Sequence, residues 1–127
     1  MTLKFYIAHI LSIFTGEVPT LGQLMVLKYA DGGKMKRIRI ISAARHKWKD
    51  IASLICDSAN KITELKEKHQ NDPNDCLRDV FVHNFINKKP QKYSQDWSGL
   101  IELLNDVELE IVAEEVEYAL SCGALHH

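Results

Sequence analysis

The pattern that most constrains this chain is an apolar stripe led by tryptophan, which occurs twice. Trp48, Ile51, Ala52 and Ile55 stand at i, i+3, i+4 and i+7, and Trp97, Leu100, Ile101 and Leu104 repeat that spacing. On an α-helix these positions share one face, so each segment must bury an indole together with two or three smaller apolar side chains against another element. A lone helix cannot do this, but a packed set of helices can.

Other segments from Trp48 onward carry related stripes, separated by short turn signals. Ile62 and Leu65 keep helical spacing after Asp57 and Ser58, either of which suits an N-cap, while Lys61, Glu64, Lys66, Glu67 and Lys68 are expected to face water. Asp72-Pro73-Asn74-Asp75 is a start signal: an aspartate accepts orphan N–H bonds, and proline suits the first helical position. The stripe that follows is Leu77, Val80, Phe81 and Phe85, and the helix is expected to fray across Asn87-Lys88-Lys89 before Pro90. Ser94 or Asp96 opens the Trp97 helix, and Asn105-Asp106 ends it. Asp106 is then placed to cap a last helix with Leu109, Val112, Ala113, Val116 and Leu120 inside and Gly123 as its stop. No fixed repeat or sustained heptad is present, so the expected fold is an all-α bundle rather than a solenoid or coiled coil.

The region before Trp48 is ambiguous. Pro19-Thr20 can start a helix carrying Leu21, Leu24, Met25 and Leu27. The stretches from Leu24 to Tyr29 and Met35 to Ile41, split by Asp31-Gly32-Gly33, also fit a hairpin. The helical reading is taken here, with a loop at Ala30 to Lys34 and a second helical piece from about Ile38 to Ala44. Met1 to Phe14 has the spacing of a further amphipathic helix. The chain thus divides into an apolar N-terminal extension (1–18), a helical bundle (19–121) and a short tail (122–127).

Its 127 residues suffice for one domain with a real core, and the net charge is only −1. That average conceals two opposite halves. Up to Gln70 there are 12 basic and 6 acidic residues, and from Asn71 onward 4 and 11. Three scattered cysteines, Cys56, Cys76 and Cys122, do not make a disulfide framework, which fits a reducing, cytoplasmic setting. The longest apolar run, Phe5 to Phe14, is about half the ~20 residues that a membrane span needs, and it makes a poor secretory signal.

Nothing in the spacing points to catalysis or to a cofactor. His9, His46, His69, His83, His126 and His127 form no metal-ligand pattern, and the last two read equally as native sequence or as part of a tag. Cys76 and His83 lie about 10 Å apart along a helix axis, too far for a nucleophile–base pair. Asp31-Gly32-Gly33-Lys34 lacks the remaining residues of a phosphate loop. Glu108, Glu110, Glu114, Glu115 and Glu117 read as a hydrated or partner-binding helix side rather than as acid–base pairs. The chain is therefore expected to be no enzyme, with no metal, cofactor or small-molecule substrate.

His46-Lys47-Trp48-Lys49-Asp50-Ile51-Ala52-Ser53-Leu54-Ile55 resembles the second helix of death domains. Ile62-Thr63-Glu64-Leu65 is similar to the third helix, and Asp72 to Phe81 with Phe85 to the fourth. Tyr93-Ser94-Gln95-Asp96-Trp97-Ser98-Gly99-Leu100-Ile101 is similar to the fifth, and Leu109 to Leu120 to the sixth. The resemblance covers about Thr20 to Leu120, with Phe85 where many members have tryptophan. It implies a six-helix antiparallel Greek-key bundle that binds other death domains, its own kind or a different one, in intracellular signalling such as apoptosis or innate immunity. It also implies oligomeric platforms, helical ones among them.

Two charged regions are the candidate contact surfaces. Lys34, Lys36, Arg37, Arg39, Arg45, Lys47 and Lys49 form a run with no acidic residue between its ends. It reads as a solvated face, as a protein-binding surface, or, in the alternative function, as the basic segment of a small helical nucleic-acid-binding domain. Lys88, Lys89 and Lys92 follow the fourth helix of the resemblance, while Asp106, Glu108 and Glu110, with Glu114 beyond, lie at the fifth-to-sixth corner. Death domains as a family pair such surfaces, so these patches are expected to meet head to tail between subunits.

Overall fold

The computed structural model describes residues 16–124. The expected helix over Met1 to Phe14, His9, and the His126-His127 pair lie outside them. The described chain is mostly helical with one two-stranded sheet: α1 (Leu21–Met25), β1 (Leu27–Asp31), β2 (Lys34–Ile38), α2 (Ile40–Ala44), α3 (Trp48–Ile55), α4 (Lys61–Lys68), α5 (Pro73–Phe81), α6 (Trp97–Asp106) and α7 (Glu110–Ser121). A single 3-10 turn, Arg45–Lys47, joins α2 to α3, and α5 runs on through a wider π turn, Val82–Ile86.

The hairpin corrects the helical reading of the first region. Gly32 and Gly33 both take positive φ, 60° and 83°, as the central pair of a type I′ turn requires, and Asp31 pairs with Lys34 to close a two-residue loop. Thr20 and Gln23 form a capping box that does start a helix, but it ends at Met25, and the second helical piece begins only at Ile40.

Later starts follow the capping signals in part. Asp72 accepts from the amides of Asn74 and Asp75 at 2.9 and 3.2 Å, with Pro73 in the first turn. Asp96 accepts from the Gly99 amide at 2.8 Å, which settles the choice between Ser94 and Asp96, and the Ser94 hydroxyl donates to the same oxygen. Neither Asp57 nor Ser58 caps α4, whose N-cap is Asn60 without a side-chain bond. Asp106 does not cap α7 either. It is the last residue of α6, and its carboxylate accepts the Tyr93 hydroxyl at 2.6 Å.

The core lies where the stripes predict. Trp48, Ile51, Ile55, Leu77, Phe81, Phe85, Trp97, Leu100, Ile101, Leu104 and Val116 are all buried, while Val112 is only half-buried at the margin. Helix α5 packs on α3, α6 on α7, and α2 on both α5 and α7. Phe81 and Phe85 meet edge to face at 6.3 Å. Glu117, expected to face water, is buried.

At Gly99 the entering loop approaches the helix closely. A Cβ there would fall inside the Ser94 carbonyl group, so the loop entering α6 can lie against the helix only over a glycine. Among the described residues no helix is long and apolar enough to cross a membrane.

Candidate interaction surfaces

The basic run is divided by the fold. Lys34, Lys36 and Arg37 lie exposed on β2. Arg39 joins Arg78, Met25, Ile41, Ser42 and Asn74 around a shallow cavity of about 210 Å³. Arg45, His46 and Lys49 line a larger one of about 400 Å³ over Trp48, Asn71 and Pro73. Lys47 turns another way, half-buried, toward Asp50 at 3.8 Å and Glu108 at 3.7 Å. The seven cations therefore do not make one stripe along one helix.

The acidic corner is more concentrated than the sequence indicates. Asp106 and Glu108 are joined by Asp50 of α3 around a cavity of about 320 Å³, with Leu54, Val107 and Ser53 completing its wall. Three carboxylates thus border one depression, and among the described residues Lys47 is the one cation paired there, so its charge stays negative. Glu108 adopts a left-handed backbone conformation, φ 65°, between α6 and α7, and Glu110 is exposed in the first turn of α7. Glu114 is exposed further along that helix.

The cationic loop between α5 and α6 is fastened at its far end. The Gln95 amide donates to the carbonyls of Phe85 and Ile86 at 2.9 and 2.7 Å, closing the end of the π turn. Tyr93 is buried and reaches Asp106; burial first, and then the bonded carboxylate, push its phenol well above the ordinary tyrosine range. Lys92 rests 5.8 Å from the Tyr93 ring centre, while Lys88 pairs with Asp57 and Lys89 stands exposed. Since Tyr93 already touches the acidic corner, Lys92 is placed near it within one molecule.

Two charged centres escaped the sequence reading. The Asp79 carboxylate, only 6% exposed, accepts from Lys68 at 3.0 Å and His69 at 2.9 Å, with His83 3.9 Å from its other oxygen. Burial raises its pKa, but the bonds from His69 and Lys68 and the neighbouring positive charge outweigh this and hold it below the usual 3.8. The spacing of Asp79 to His83, one helical turn, is the signal that was available. The second centre is Asp31, which accepts from Tyr118 at 2.8 Å and Lys36 at 3.1 Å and is lowered by both. Tyr118 also meets Tyr29 edge to face at 6.1 Å, so this cluster fastens the hairpin to α7.

Burial raises the Cys56 and Cys76 thiols, and the Cys76 Sγ points to the Leu65 carbonyl at 3.5 Å. Among the described residues no group of His, Cys, Asp and Glu is arranged to hold a metal ion. Comparison with family models, with curated proteins and with solved structures returned no match.

Proposed function

We propose that this chain is a protein-interaction module of the death-domain type, folded as a six-helix antiparallel Greek-key bundle, which assembles with its own kind or a related domain in cytoplasmic signalling. The helices α3 to α7 fall in order on the five sequence blocks that resemble the second to sixth helices of that family. In this reading the β1–β2 hairpin is an insertion beside the first helix.

The observation that carries the mode of assembly is the acidic depression lined by Asp50, Asp106 and Glu108. Its apolar residues, Leu54 and Val107, suit the methylene stem of a lysine, and its carboxylates suit the ammonium. Lys89, exposed on the α5–α6 loop, and Lys88, which exchanges its pairing with Asp57 for the neighbouring copy, are the complementary element. One copy's loop enters the next copy's depression, a heterologous contact that repeats from subunit to subunit and builds rings or helical filaments.

The test is light scattering after size exclusion, across protein concentration and salt. Lys88→Glu with Lys89→Glu is expected to abolish the open-ended assembly and leave a folded protein no larger than a dimer, and adding Asp50→Lys with Glu108→Lys to restore the larger species. Those two acids are chosen because Asp106 also holds Tyr93. Raising salt is expected to weaken assembly, since exposed charges are screened beyond ~8 Å at physiological ionic strength. Assembly indifferent to both charge reversal and salt refutes this mode.

A further inference from the structure

The hairpin carries a surface of its own. Side chains alternate across a strand, and the register pairs Tyr29 with Lys36 and Asp31 with Lys34 on the face turned to Tyr118. The opposite face therefore carries Lys28, Ala30, Met35 and Arg37, all exposed. Lys28 and Arg37 stand directly opposite each other, a like-charge pair that weakens a hairpin unless a carboxylate lies between them. Met35, 64% exposed, sits at the next pair along.

Among the described residues, the most exposed large apolar one is Ile111 of α7, at 75%. Glu114 and Glu115 lie three and four positions on, flanking it on the same helix face. The molecule thus presents two small patches of matching construction and opposite sign: an apolar side chain beside two cations, and an apolar side chain beside two carboxylates.

Their placement indicates how they meet. The hairpin rests on Tyr118, which shares the Ile111 face about 10 Å further along the helix. The patches are therefore neighbours on one side of the molecule, and a two-fold rotation brings each over the other in a second copy. Pairing of hairpin edges is opposed by the like charges of Lys34, Lys36 and Arg37 along β2, which leaves the hairpin face as the contact.

We propose that two copies associate reciprocally, with the outer hairpin face of each seated on the Ile111 face of the other, Met35 against Ile111, and Lys28 and Arg37 against Glu114 and Glu115. This contact is separate from the lysine loop and acidic depression. The result is a closed dimer.

The experiment uses the full chain with Lys88→Glu and Lys89→Glu, which silences the other contact, and with Cys56→Ser and Cys122→Ser to remove competing thiols. An equimolar mixture of Met35→Cys and Ile111→Cys proteins, treated with a short bismaleimide, is expected to give a covalent dimer. Neither variant alone should do so, and a chain carrying both substitutions should stop at the dimer. A mixture that cross-links no better than its components overturns the contact, and a ladder of higher species overturns the two-fold arrangement. Both cysteines would replace exposed side chains, so folding is preserved. As a second measurement, Arg37→Glu is expected to be monomeric in the same background without the cysteine variants, and Glu114→Lys with Glu115→Lys to restore the dimer. A dimer unaffected by Arg37→Glu overturns the proposal.

Discussion

Replacing Asp79 by asparagine keeps the shape of the side chain and one acceptor oxygen while removing a charge buried between α4 and α5. Hydrogen bonds to a charged group contribute about 1.5–3 kcal/mol each, and neutral ones about 0.5–1.5 kcal/mol. The bond from Lys68 is discounted, because that side chain is 64% exposed and its ammonium stays hydrated. The expected loss at neutral pH is then about 1–2 kcal/mol, mainly at the half-buried His69. Because the folded carboxyl lies below 3.8, the unfolded chain binds more protons in the window between that value and the lower folded one. The wild-type advantage is therefore fully present above that window and is lost as pH falls through it. Urea denaturation of both proteins from pH 7 down to about pH 2 reads this as a gap in midpoints that closes on acidification. A gap that stays constant or widens refutes the assignment of Asp79 as a paired, ionised centre.

Gly99→Ala is expected to cost at least about 1–3 kcal/mol, since the new methyl group meets the Ser94 backbone rather than a movable side chain, and thermal melting checks it. Trp48→Ala should cost about 3–5 kcal/mol, and an unchanged melting temperature would remove the indole from the core. Tyr118→Phe should speed amide exchange in β1 and β2 while leaving α3 to α6 protected, because it deletes the bond to Asp31. The Tyr118 phenol is pushed up to about 12, first by that hydrogen bond, so hairpin docking should hold below pH 10 and loosen as pH rises from there toward 12.

The second half of the fold was legible because its signals are local. Periodicity located Trp48, Leu77, Phe81, Trp97 and Val116 in the core, and the capping chemistry of Asp72 marked the start of α5. The hairpin was less so. The residues from Leu24 to Ile38 satisfy both periods in part, and the decisive feature was the pair Gly32-Gly33, whose left-handed geometry calls for a two-residue turn. Asp106 was misread because a carboxylate at a helix boundary can cap the next helix or serve a distant donor, and Tyr93 lies thirteen residues back in the chain. The contribution of Asp50 to the acidic depression could not be read locally either, since α3 meets the α6–α7 corner only in three dimensions. For the same reason the basic run looked continuous in sequence, although a hairpin, a short helix and a 3-10 turn point its members in different directions.

The α5–α6 connection, fastened by Gln95 to Phe85 and Ile86 and by Tyr93 to Asp106, has a consequence for its tolerance to change. Both fasteners lie at its C-terminal end, while Asn87, Lys88 and Lys89 stand exposed at the other. Extra residues inserted between Lys88 and Lys89 can loop out into water without disturbing either helix, at an entropic cost that grows only slowly with length. Deleting Ser94, by contrast, changes the spacing between the two fasteners and shifts the start of α6, so the same connection accepts lengthening at one end and resists shortening at the other.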